Sequence, residues 1–378
     1  MNTKFLSIAA VAVCVACSFT ACDDDDDDNN DNGVVTVASV DYSSDNAKTW
    51  GNYMVTVAKL LVDDATTLYN DWDVSFNGGK SYAEYFKSLS GEEAVQEIIQ
   101  GSADIANEVG ESKIGDPVNK WESGLREAAV LAVESWYSWH SRDDYSNNIL
   151  SVRNSYYGSL DGTVADKSLS NLVKAKDAAV DTKIVNAIDD AYNKIIAIPQ
   201  PFRNNIASAE AKAAQEACEE LRKVIEDDLA SVVEKLDEAD LKAAVANYVD
   251  VVVVPTYKDL KEKATALRDA AKAFADSPSN DGFKLCATAW LAARKPWETS
   301  EAFLFGPVAD KGLDPNMDSW PLDQVGITNI LNSGDFDDLV WDGDFDEDND
   351  DISAAQALRG FHTLEFLIFK DGEARKVN

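Results

Sequence analysis

The chain has 378 residues, 45% of them apolar and 9% aromatic, which is material for a large buried core and more than one small domain needs. Its 68 acidic residues against 34 basic ones give a formal net charge of -34. That balance excludes the basic face a nucleic-acid binder requires, and it suits solubility and the attraction of cations.

The first 22 residues read as a signal rather than as part of the fold. A short basic start ends at Lys4, "FLSIAAVAVCVACSFTA" is an apolar run short for a membrane span, and a small residue precedes Cys22. The ending "SFTAC" resembles the lipobox of bacterial lipoproteins, which implies cleavage before Cys22 and lipidation of that residue; a plain secretory signal cut elsewhere is the alternative. The block "DDDDDDNNDNG" repels itself and buries nothing, so residues 23–44 are expected to form a disordered tether. An acidic run directly behind a lipidated cysteine also resembles the surface-export signal of some Gram-negative lipoproteins. The expected location is therefore the cell envelope, at the outer membrane, with surface exposure implied by that likeness.

From Asp45 onward nearly every long segment carries apolar residues three and four apart. "NYMVTVAKLLVDDATTLYNDW", "EEAVQEIIQGSADIANEVG", "WESGLREAAVLAVESWYSW" and "DTKIVNAIDDAYNKIIAI" all predict amphipathic helices of a bundle. Residues 208–236 carry the strongest such stripe, through Leu221, Val224, Ile225, Leu229, Val232 and Leu236. A second series follows in "ADLKAAVANYVDVVVVPTYKDL", "KATALRDAAKAFAD", "DGFKLCATAWLAARKPWETSEAFLF" and "DISAAQALRGFHTLEFLIF". The valines at 251–254 have strand propensity, yet their context predicts helix, with a kink or break at Pro255. The expected class is thus all-α, in two bundle halves at 45–236 and 237–378.

Outside the signal only Cys218 and Cys286 remain, both in helical patterns where a lone cysteine is a small core residue; whether they pair is left open. Glycine and proline gather at residues 305–323 and in the acidic loop 333–351. Counted from Asp342, that loop places Glu347 where a calcium-binding EF-hand loop needs glycine and Ser353 where it needs glutamate, so it reads as a solvated loop.

His362 and Glu365 stand three apart on a predicted helix, about 5 to 6 Å from each other on one face, the spacing that carboxylate bundles use for metal. Phe361, Leu364, Phe366, Leu367, Ile368 and Phe369 surround them, so the helix is buried and the two polar groups need partners: a metal, each other, or an arginine such as Arg294. Glu298 and Glu301 form a second pair at the same spacing. If the two helices face each other, one imidazole and up to three carboxylates converge, a set suited to iron, manganese or zinc. The alternative for Glu298 and Glu301 is a solvated face paired with Arg294 and Lys295. HExxH, HxxEH, G-x-S-x-G and P-loop motifs are absent, and His140 is the only other histidine.

The blocks "WLAARKPWETSEAFLFGPV", "DPNMDSWPLD" and "RGFHTLEFLIF" resemble the characteristic regions of the imelysin-like proteins, with Gly360, His362 and Glu365 in their GxHxxE hallmark. "NKWESGLREAAVLAVESWYSWHSRDDYSNNILSVRNSYYGSL" and "AIDDAYNKIIAIPQPF" resemble the family's other half. The block order is exchanged relative to typical members, so the chain resembles a circular permutant joined through "KLDEADLKAA". The resemblance, spanning residues 45–370, implies a cleft shared by two helical halves, an association with bacterial iron uptake, and a founding member described as a metal-dependent peptidase. It assigns metal-ligand positions to His362, Glu365, Glu298 and Glu301, and supporting positions to Arg294, Gly360, Ser138, Ser141, Asp144 and Asn148. His140 departs from the pattern. The leading expectation is an envelope lipoprotein that holds a metal ion, iron before zinc, or an iron-bearing ligand, without turnover and with a transport protein as partner. A metallopeptidase and a binder of a small organic molecule are the competing expectations.

Overall fold

A computed structural model of the chain describes residues 40–377. The expected signal at 1–22, Cys22 with it, and the tether as far as residue 39 lie outside the described residues. The expected all-α class holds. The principal helices are α1 (Ala47–Asp73), α2 (Gly91–Asn107), α3 (Ser141–Tyr157), α4 (Ala178–Ala197), α5 (Ala209–Lys223), α6 (Val254–Asp276), α7 (Asn280–Glu298) and α8 (Gly360–Ile368). Among the described residues the strands are β1 (Phe369–Lys370) and β2 (Glu373–Ala374), paired antiparallel. No helix among them is long and apolar enough to cross a membrane.

Amphipathic periodicity explains the packing. α1 buries Trp50, Tyr53, Met54, Val57, Ala58 and Leu61, a stripe that faces α6, and α6 in turn packs on α7. The described residues all fall in one compact unit. The join near residue 236 does fall in a turn, between the helices Ala230–Val233 and Glu238–Asn247, but a single hydrophobic core runs through both sides. Cys218 and Cys286 are free and buried in that core, and burial pushes each thiol up to about 12.

Three expectations need correction. The valines near 251 lie in a π-helical stretch, Tyr248–Val253, that runs into α6 without a break. The wider π turn accommodates Pro255, whose ring and missing N–H would otherwise disrupt an α-helix. The segment "WESGLREAAVLAVESWYSW" is not one helix: helix Arg126–Leu131 ends, and residues 132–140 follow an irregular path with Ser135 at φ 51° and Trp139 at φ 60°. Periodicity missed this because Glu134, Ser135 and Ser138 spend their polar groups on partners elsewhere in the protein, described below.

The third correction concerns the tether, whose last residues belong to the fold. Tyr42 is buried edge-on against Trp50, Phe274 and Phe283, with centroids 5.9, 5.7 and 5.3 Å away. Asp41 accepts from Arg375 at 2.7 Å and from Lys370 at 2.5 Å. Arg375 also lies over the Trp50 and Phe366 rings and donates to the Phe366 carbonyl. The two ends of the described chain therefore meet.

Candidate metal centre

Gly360 opens α8 with φ +84°, and a Cβ there would stand 2.4 Å from the Met317 carbonyl oxygen. Only glycine permits this approach, which sets α8 against the short helix Leu313–Asp318. Every residue of α8 is buried. His362 consequently faces Asp318, the residue after Met317: its Nε2 is 3.1 Å from Asp318 Oδ1 and 3.3 Å from Glu134 Oε1. On the other side of the ring, Nδ1 is 3.1 Å from Glu365 Oε2. Glu365 is itself fixed, since its Oε1 accepts from the Ser138 backbone N–H at 2.8 Å and hydroxyl at 2.7 Å. The Trp320 ring meets the imidazole edge-on at 4.8 Å.

Arg294, on α7 and without solvent exposure, joins the parts. Its Nη2 is 2.7 Å from both Glu134 Oε1 and Glu298 Oε1, its Nε donates to Asp144 Oδ2 at 3.3 Å, and its Nη1 pairs with Asp318. The same Nη2 lies 3.4 Å from His362 Nε2. Lys113, on the π-helical stretch Glu108–Gly115 that extends α2, adds a second cation, 3.1 Å from Glu134 Oε2 and 3.7 Å from the exposed Glu108. Trp297 donates to Asp318 Oδ2 at 2.6 Å, and Asn148 Nδ2 to Glu298 Oε2 at 2.6 Å. Ser135 donates to Asp144, and Ser141 to the Glu134 carbonyl.

Two donor sets result, Glu134–Asp318–His362 and Glu298–Glu301–Asp318, each with ligand atoms within 4.8 Å of one another. Of the residues expected as ligands, His362, Glu298 and Glu301 fall in these sets. Glu365 does not; its Oε2 meets Nδ1, on the other side of the ring from Asp318 and Glu134. The supporting residues Arg294, Gly360, Ser138, Ser141, Asp144 and Asn148 all converge here. His140 lies at the N-terminal end of α3, partly exposed, 3.4 Å from Asp143 and 3.8 Å from Asp144. Sequence reasoning missed Glu134, Asp318 and Lys113. Asp318 stands inside "DPNMDSWPLD", whereas Glu134 is visible only once its helix is known to break.

This arrangement sits on a fold with known relatives. The imelysin family profile matches residues 25–228 and 253–378, and the chain belongs to that family. It is 53% identical to an imelysin peptidase from Bacteroides ovatus whose crystal structure covers 90% of this chain, itself covered to 99%, with a TM-score of 0.88. A 132-residue stretch, 33% of this chain, is 31% identical to iron-regulated protein A of Synechococcus elongatus and spans 31% of that relative's length.

The electrostatics divide the carboxyls into two groups. Against their burial, Lys113, His362 and Arg294 hold Glu134 well below the usual carboxylate range, and Arg294 and His362 hold Asp318 low. Burial raises Glu298 and Glu301 well above that range; Asp144 adds to the effect on Glu298, and Glu298 to that on Glu301. Burial and the neighbouring Asp318 lift Asp314 to about 7. Burial and Arg294 oppose a charge on His362, but Asp318 and Glu134 outweigh them and lift the imidazole well above its ordinary value.

A group with a raised folded-state pKa holds its proton in the native state when the unfolded chain has lost it, so stability falls as pH rises through that interval. Glu298, Glu301, Asp314 and His362 all act in this direction, while the lowered Glu134 and Asp318 withdraw stability only as pH falls below about 4. Without added metal, the melting temperature should peak in mildly acidic buffer and fall between pH 5.5 and 8. A melting temperature that rises over this range, read by calorimetry, contradicts the assignment.

Proposed function

We propose that this imelysin-family chain binds a metal ion at Glu134, Asp318 and His362, iron before zinc, and serves iron uptake at the cell envelope without hydrolysing a substrate. The observation that carries the reading is the imidazole held by Glu365 with its Nε2 turned toward two carboxylates. The donor set favours an ion there. Six buried carboxyl groups, Glu134, Asp144, Glu298, Glu301, Asp318 and Glu365, surround Arg294, Lys113 and His362, so oxygen donors outnumber the cations. One nitrogen among oxygens and no thiol suits iron, and accepts zinc less well because open zinc sites commonly use more than one histidine. A bound ion would supply Lewis acidity or simple capture. The protein's own part is to fix the imidazole tautomer through Glu365 and to share Glu134 and Asp318 with Arg294.

Support for iron comes from the relative described as iron-regulated, which this chain matches over a third of its length. The solved relative is described as a peptidase, and the same variants separate the two readings. Titration calorimetry of the mature protein with ferrous, ferric and zinc ions should give binding that releases protons. Glu365→Ala should weaken it about 10- to 100-fold, the usual effect of losing an orienting carboxylate, and His362→Ala more. Equal binding by parent and both variants sinks the metal reading, whereas peptide hydrolysis lost in both variants installs the peptidase.

The envelope location rests on residues outside the described ones. Lipidation at Cys22 should incorporate a labelled fatty acid in growing cells, and Cys22→Ser should abolish the label; equal labelling of both excludes the anchor. The permuted order is part of the same proposal, supported by the family's match in two stretches and by the meeting of Asp41 with Lys370 and Arg375. A chain opened between Leu236 and Asp237, with residues 40 and 377 joined by a short linker, should fold with a cooperative melt. If it stays unfolded, the permuted relation loses its physical basis.

A further inference from the structure

The centre contains more oxygen than one ion at His362 uses. Glu298, Glu301 and Asp318 bring carboxylate oxygens within 4.8 Å of one another without any contribution from the imidazole. Within this set Glu298 Oε1 meets Arg294 at 2.7 Å and Oε2 accepts from Asn148 at 2.6 Å. Asp318 is held by Arg294 and Trp297. Glu301 differs: it is 8% exposed, turns its carboxylate into the set, and its side chain has no hydrogen bond or ion pair among the described residues. Among the buried side-chain oxygens without a hydrogen bond is Glu298 Oε1, despite its 2.7 Å approach to Arg294, and a native protein keeps such an atom where something else supplies the partner. The Oδ1 of Asn148, whose Nδ2 donates to Glu298, has no solvent exposure and also lacks a partner.

We infer that Glu298, Glu301 and Asp318 form a second cation position, so that the protein holds two divalent ions that share Asp318. The inference rests on the reading of the His362 position as a metal site, and it adds a neighbour of different chemistry. The first position has a nitrogen ligand and suits iron or zinc. The second is built from oxygen alone, which suits harder ions such as magnesium, calcium, manganese or iron. Carboxylates shared between neighbouring ions are the usual construction of two-metal centres.

The test uses manganese(II), which oxygen ligands accept and which electron paramagnetic resonance detects. The full mature chain is loaded with manganese, freed of excess ion by gel filtration, and analysed for bound metal by mass spectrometry and for coupling by resonance. Two ions per chain are expected, with the spectrum of a coupled pair. Glu301→Gln and His362→Ala should each retain one ion with an uncoupled signal. Glu301→Gln keeps the size of a side chain that has no hydrogen-bond or ion-pair partner and should melt no lower than the parent. If either variant fails to fold, the parent's stoichiometry and spectrum decide alone. One uncoupled ion in the parent, lost in His362→Ala and kept in Glu301→Gln, overturns the second position and leaves the first. One ion kept in His362→Ala and lost in Glu301→Gln overturns the His362 position and retains this one. No bound ion overturns both.

Discussion

A guanidinium with no access to water has to be surrounded by acceptors, and the arrangement of this protein follows from how Arg294 meets that requirement. Its partners come from four separate places: Glu134 from the irregular stretch after helix Arg126–Leu131, Asp144 from α3, Glu298 from α7, and Asp318 from the end of a short helix. Taking these charges out of water costs several kcal/mol per ion, and a buried pair recovers that only with good geometry and further hydrogen bonds. Ser135, Asn148 and Trp297 supply those bonds to the carboxylates. Loss of Arg294 would leave four buried carboxylates facing one another, so the residue is a condition for assembling both sides of the chain.

The irregular backbone is found where the charges are. Lys113 sits on a π-helical stretch, Glu134 and Ser138 directly precede the left-handed residues Ser135 and Trp139, and Gly360 begins α8 in a conformation that other residues adopt only with strain. Regular α-helices would send these side chains around a cylinder at fixed intervals. Departures from regularity let neighbouring residues aim at one point, and such departures concentrate at functional sites because they lower stability elsewhere.

This also explains which parts of the molecule were legible in its sequence. Helices α1, α2, α4 and α5 follow from spacing, because each buries one continuous stripe and water enforces the pattern. His362, Glu298 and Arg294 were legible for a related reason: polar residues in apolar surroundings declare that they need partners. Glu134 was hidden by an apparently good helical pattern in "LREAAVLAVESW", since hydrophobic spacing does not register that Ser135 and Ser138 bond away from their own segment. The role of Glu365 was half legible. Its spacing from His362 placed it on the right face, but only the hydrogen bonds from Ser138 show that it supports the ring from the far side. Tyr42 was lost in the tether because one aromatic residue beside a charged run carries no periodic signal.

The closed packing around the imidazole bears on time as well as on energy. His362, Glu298 and Arg294 have no solvent exposure, so anything that trades places with their protons or contacts waits for a local opening. Residues 132–140 close over the centre through side-chain hydrogen bonds and buried Val133, Trp136 and Tyr137 rather than through a helical ladder. Exchange at the centre is then paced by local opening of the packing around it, and a rate measured there reports that opening as much as the strength of any bond inside.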